Sequence, residues 1–261
     1  MKNNFLGGST ITYTNGKVGC LLIHGFTGTP DELSELAEYL SSKEITVLVP
    51  LLSGHGTNPG ELDRTTWKQW FADVRDAYHR LNESSDEIFV GGLSMGGTLA
   101  LHLASHYPVQ GIFTFAAPVL FDNPKIRYIS LVKKFFKYYP KQGGPDIHNL
   151  EAKQKIRCYN QYPLRAVQQL QQLIRHTCDD LGEILAPILV IHSKQDHTIP
   201  YKNAELIINH VASKDKKIRF LENSYHVITM DYDKERIKRE TFEFIYAHSK
   251  LLNHKGAKHQ K

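Results

Sequence analysis

Cysteine is scarce in these 261 residues: Cys20, Cys158 and Cys178 are an odd number with no C-x-x-C pair among them. Their spacing indicates neither a disulfide framework nor a cysteine zinc site, and it suits a reducing compartment. Long hydrophobic runs are also lacking. Nowhere do about 18 apolar residues follow one another, so no integral membrane segment is expected. Met1 to Gly8 carries one lysine and too few apolar residues for a secretory h-region. Cytoplasmic residence is the expectation. An excess of one charge sign is weak as well. The net charge is +5, but Lys250, Lys255, Lys258 and Lys261 supply four of those charges from a basic tail at about 250–261. The rest is near neutral, which gives little footing for nucleic acid. A second basic stretch, Lys125, Lys133, Lys134, Lys137, Lys141, Lys155 and Arg157, reads as a solvated face.

What is present fits one globular domain spanning 1–261. A composition of 41% hydrophobic, 23% charged and 10% aromatic residues is that of a chain able to bury a core without staples. Short β-rich runs alternate with helix-patterned segments, the signature of an α/β fold with a mainly parallel sheet. The runs are Val18 to Ile23, Thr46 to Pro50, Glu87 to Gly91, Gly111 to Ala116, Ile188 to His192 and Ile218 to Leu221, with Thr10 to Tyr13 as an antiparallel edge. Thr29-Pro30-Asp31-Glu32 predicts a capping box that opens a helix with Leu33, Leu36, Ala37 and Leu40 inward. Thr66 and Gln69 predict a second box ahead of Trp67, Trp70, Phe71, Val74, Ala77 and Leu81. The alternation breaks at about 119–162, a Lys/Tyr-rich insertion without a clear strand, which reads as a small cap over the strand ends.

The chemistry begins at Gly92-Leu93-Ser94-Met95-Gly96. This G-x-S-x-G stretch follows a predicted strand and precedes the helical run from Thr98, the context that makes such a serine a nucleophile. The turn must hold Ser94 in a strained conformation, and the glycines remove Cβ atoms that would collide with neighbouring elements. A helix that starts just after the serine aims the N–H of Met95 at a developing oxyanion. The loop after Val18 to Ile23 offers the N–H of Phe26 as the second donor, with His24 as a structural neighbour.

A serine hydroxyl needs a neutral imidazole to take its proton and a carboxylate to hold that imidazole. His226 follows the run Ile218 to Leu221 through a short loop and is the best placed of 14 histidines. His192 and His197 flank the proposed acid and are its rivals. His102 and His106 fall on the helix after the nucleophile and are assigned to packing or solvent, as are His248, His254 and His259 near the tail. Asp196 leaves the end of the Ile188 to His192 strand and is the expected acid; Asp122, one strand earlier, is the alternative.

These residues resemble the bacterial carboxylesterase and monoacylglycerol lipase family of the α/β-hydrolase superfamily. The likeness rests on His24-Gly25-Phe26-Thr27-Gly28-Thr29-Pro30, Gly54-His55-Gly56-Thr57, Gly92 to Thr98, Asp196-His197 and Asn223-Ser224-Tyr225-His226-Val227, in that order along nearly the whole chain. It implies Ser94, Asp196 and His226 as a triad and the amides of Phe26 and Met95 as oxyanion donors. It also implies monoacylglycerols or short-to-medium-chain esters as substrates. Phe26, Met95, Tyr225 and Val227 are expected against the acyl chain. The mechanism calls for no cofactor and no metal, and the basic cap suits transient contact with a lipid surface. A thioesterase, acyltransferase, peptidase or carbon–carbon hydrolase on the same triad stays open. So does a ligand receptor that forms only a slow covalent adduct.

Overall fold

The computed structural model describes residues 7–120, 129–133 and 135–253. Asp122, Lys125, Lys134, His254, His259 and the tail lysines beyond Lys250 lie outside the described residues. The sheet has seven strands: β1 (Ile11–Tyr13), β2 (Val18–Ile23), β3 (Ile45–Val49), β4 (Glu87–Leu93), β5 (Gly111–Phe115), β8 (Ile188–Ser193) and β9 (Lys216–Leu221). Two further short strands, β6 (Tyr138–Pro140) and β7 (Gln161–Pro163), form a separate antiparallel pair. The main order is β1-β3-β2-β4-β5-β8-β9, parallel except for β1 against β3.

The helices are α1 (Ser34–Ser41), α2 (Pro59–Leu62), α3 (Trp67–Asn82), α4 (Met95–Ala104), α5 (Ile129–Val132), α6 (Leu150–Lys155), α7 (Leu164–Asp180), α8 (Lys202–His210) and α9 (Lys234–His248). Strand alternation sends side chains to both faces, and both are covered. On β2, Leu21 and Ile23 join the core under α3, α4, α7 and α8 with Trp70, Leu99, Leu173 and Ile207. Cys20 and Leu22 join the opposite core under α1 and α9 with Leu36, Leu40, Ile237 and Phe244. The edge strand β9 protects itself with exposed Lys216 and Lys217.

Three local expectations change. The Thr66 capping box is present, but Thr29 makes no capping bond, and Pro30–Leu33 is a 3₁₀ turn that precedes α1. The reason is that the Glu32 carboxylate turns inward and accepts the Gly25 N–H at 2.8 Å instead of reaching back to Thr29. The insertion does contain strands, since β6 pairs with β7 across its length. Lys141, expected on a solvated face, also turns inward.

Candidate active site

Strand order reverses between β2 and β4, so the loops leaving these neighbours diverge and open a crevice at their C-terminal ends. Ser94 occupies the turn between β4 and α4 with φ 53° and ψ −118°. This is the left-handed half of the map, which costs a non-glycine residue energy. The turn is tight for a concrete reason. A Cβ on Gly96 would stand 1.9 Å from the Ile23 carbonyl oxygen, and one on Gly92 would stand 2.5 Å from the Gly96 carbonyl carbon. Only glycine at both places lets α4 start this close to β2.

His226 sits on the loop after β9 and Asp196 on the loop after β8. His226 Nε2 lies 2.9 Å from Ser94 Oγ, and His226 Nδ1 lies 2.7 Å from Asp196 Oδ2. The Asp196 carboxylate is fully buried, and four donors surround it. Oδ1 accepts the N–H groups of Thr198 at 2.8 Å and Ile199 at 2.7 Å. Oδ2 meets His226 and also His192 Nε2, at 3.2 Å. Burial alone would raise this carboxyl, but the two imidazoles hold it well below the usual carboxylate range. Burial would likewise lower His226, yet the Asp196 charge prevails, with Asp146 and Glu32 behind it, and keeps the imidazole above its ordinary value.

The rival histidines take other places. His192 is buried, bonded to the Ile199 carbonyl at 3.0 Å, and faces the acid instead of the serine. His197 is exposed and pairs with Asp146 at 2.9 Å. His24 is buried and accepts the Leu52 N–H at 3.2 Å, with burial pushing it down to about 4, so it stays neutral.

Phe26 follows Gly25, whose Cβ position lies 3.7 Å from Ser94 Cβ, so the loop after β2 packs beside Ser94. Thr27 in that loop has φ 68°, a costly value for a β-branched residue. The insertion holds it there: Lys141 Nζ donates to Thr27 Oγ1 at 2.6 Å and the Tyr159 N–H to the Thr27 carbonyl at 3.0 Å. Met95 opens α4, so its N–H belongs to the first turn, whose donors lack an intrahelical acceptor.

A cavity of about 670 Å³ opens at Ser94 and His226, with Phe26, Leu93, Ile129, Ile156, Leu164, Val167, Leu170, Ile199 and Val227 among its walls. Phe26 stacks on Tyr162 of the insertion, with ring centres 6.3 Å apart. Met95 and Tyr225 do not line this cavity. The Met95 side chain is buried beneath it, and the Tyr225 ring is stacked on His148 at 4.5 Å with its other contact at His197.

Four acidic or basic groups at or near the cavity carry no local motif. Glu32 and Lys141 stand in its wall. Burial raises Glu32 to about 7, and burial lowers the Lys141 ammonium, with Cys158 and Glu32 opposing. Asp146 accepts at its carbonyl from the N–H groups of His226 and Val227, and at its carboxylate from His197 and Thr198, tying the loops after β8 and β9 together. Asp231, buried, accepts four N–H groups, from His148, Asn149, Tyr225 and Tyr232. Each becomes recognisable only when distant loops are brought together.

The model of the family described as "Serine aminopeptidase, S33" (Hydrolase_4) matches residues 15–233. The chain is also 40% identical to the thermostable monoacylglycerol lipase of Bacillus sp. (strain H-257), covering 90% of this chain and 93% of that one. It belongs to this family. A second relative within it, the carboxylesterase of Bacillus subtilis (strain 168), is 31% identical over 90% of this chain and 94% of its own. A solved structure from work on LipS and LipT, two metagenome-derived lipolytic enzymes, superposes with a TM-score of 0.89 at 34% identity, covering 93% of this chain and 98% of that one. The fold is accordingly the α/β-hydrolase fold. Among the described residues no helix is long and apolar enough to cross a membrane.

Proposed function

We propose that the chain hydrolyses carboxylic esters through an acyl-enzyme on Ser94, with short-to-medium-chain esters or monoacylglycerols as substrates. The observation that carries this is the unbroken relay of 2.9 Å and 2.7 Å from Ser94 through His226 to Asp196 at the mouth of an apolar cavity. Ser94 Oγ attacks the ester carbonyl as His226 Nε2 takes its proton, and the N–H groups of Phe26 and Met95 receive the oxyanion. His226 returns the proton to the leaving alcohol, then takes one from water as that water attacks the acyl carbon and frees Ser94. Asp196 holds the imidazole tautomer throughout. The apolar walls suit an acyl chain, and Glu32 and Lys141 offer polar groups that suit an alcohol bearing free hydroxyls.

In this reading one domain spans the chain, with a cap at about 119–162 and a basic tail at about 250–261. The three free cysteines fit a cytoplasmic setting. Exposed Phe135 and Phe136 beside Lys133 and Lys137 fit transient contact with an anionic lipid surface. No binding to phosphatidylglycerol vesicles at low salt would end that part of the proposal.

The test of the activity is a panel of p-nitrophenyl acyl esters and monoacylglycerols, with aminoacyl nitroanilides added because the family's description names aminopeptidases. Sustained ester turnover supports the proposal. A single stoichiometric burst points to a receptor, and preference for the anilides points to a peptidase.

A further inference from the structure

Away from the cavity, the ends of α4 and α7 meet at a group of side chains that the ester chemistry does not use. His102 lies in the last turn of α4, His106 four residues on in the turn that follows, and Asp180 ends α7. One ligand atom from each falls within 4.8 Å of the others. None of the three lines the cavity.

His102 Nδ1 lies 3.1 Å from Asp180 Oδ2, and this buried nitrogen has no other polar partner among the described residues. Two ligands of one cation approach each other this closely. Zinc bonds of about 2.0–2.2 Å in a tetrahedral arrangement place neighbouring ligand atoms roughly 3.3 Å apart. His106 Nδ1 is 2.9 Å from the His102 carbonyl oxygen, to which it donates in the tautomer that leaves Nε2 as the nitrogen with a free lone pair. His106 is exposed and Asp180 is half-buried, so an ion can enter and the wider separation can close by rotation of an unconfined side chain.

We propose that His102, His106 and Asp180 bind a divalent transition-metal ion, zinc by preference, with water completing the coordination. Two imidazoles and one carboxylate select zinc, copper or nickel over magnesium or calcium. The ion's role is a clasp. α4 starts at the nucleophile and α7 starts at the cavity wall with Leu164, so a metal joining their far ends fixes the two helices relative to each other.

The experiment uses the full chain without a polyhistidine tag, stripped by a chelator and titrated with Zn²⁺ alone and Co²⁺ alone. Calorimetry should give one Zn²⁺ per chain, and the cobalt form should show visible d–d absorption of a four-coordinate site. His106→Ala, at an exposed position and checked for its fold by circular dichroism, and Asp180→Asn should each weaken binding by at least about tenfold. Zn²⁺ should raise the unfolding temperature of the wild type and leave that of His106→Ala where it was. Absence of stoichiometric binding overturns the proposal. So does binding of equal strength in both variants, which places the ion elsewhere, for example at His226.

Discussion

Replacing Asp196 with asparagine probes the relay at its least forgiving point. The carboxylate accepts hydrogen bonds from Thr198 and Ile199 at one oxygen and from His226 at the other, and asparagine can accept at only one end. Main-chain N–H groups of Thr198 and Ile199 fix the acceptor at the Oδ1 position, because a peptide cannot reverse its donor. The NH₂ therefore takes the Oδ2 position and donates toward His226 Nδ1, 2.7 Å away. That bond stabilises the imidazole tautomer with its proton on Nε2, which then cannot accept the proton of Ser94. The expected loss in kcat is ~10⁴-fold, about 5 kcal/mol of transition-state stabilisation. Removing the charge also lets burial lower His226, so the acid limb of kcat/KM, where activity falls as the imidazole protonates, should move to lower pH than in the wild type. Steady-state rates on a p-nitrophenyl ester across pH measure both effects, with circular dichroism to check the fold. A variant that keeps more than about a tenth of wild-type kcat would refute the tautomer argument. Asp122→Asn, made in parallel, should leave kcat nearly unchanged.

Four other changes test separate parts of the structure. Glu32 is raised to about 7 from 4.5, so the folded chain keeps a proton that the unfolded chain releases, and stability falls as pH rises from about 4.5 to 7. Glu32→Gln, which keeps an acceptor for Gly25, should remove up to about 3 kcal/mol of that slope in urea unfolding; parallel curves would sink the claim. Gly96→Ala puts a Cβ 1.9 Å from a backbone oxygen and should cost about 3 kcal/mol or more, with a loss under about 1 kcal/mol contradicting the packing account. Lys141→Met frees Thr27 from its clasp and should lower kcat on small esters with KM little changed; a pure KM effect would make Lys141 a binding group only. Rates should rise about fourfold per acyl methylene until the cavity is filled, and Val167→Trp should cut that series short. An unaltered chain-length profile would place the acyl chain elsewhere.

The architecture was legible because its signals are local. Continuous apolar runs such as Val18 to Ile23 have no exposed register in which to sit, and the G-x-S-x-G turn tolerates no other residue where backbones touch. Ser94, His226 and Asp196, which the structure brings together, could be singled out because each follows a readable strand. What the sequence concealed depends on long-range contact. Glu32 matched a capping pattern three residues after Thr29, yet an unsatisfied Gly25 N–H drew its carboxylate inward. Lys141 read as one charge in a basic stretch because the cavity and Thr27 that receive it come from distant segments. Tyr225 adjoins His226 in sequence, but its ring stacks on His148 and stays out of the cavity, a contact with a distant segment that no local pattern announces. The β6–β7 pair escaped notice because three-residue strands 20 residues apart carry no alternation to detect.

The most direct measurement is the mass of the intact protein after reaction with a fluorophosphonate, followed by peptide mapping. One phosphonyl adduct on Ser94, absent from Ser94→Ala and slowed by Asp196→Asn, is the predicted result. An adduct on any other residue, or undiminished labelling of Ser94→Ala, would contradict the account.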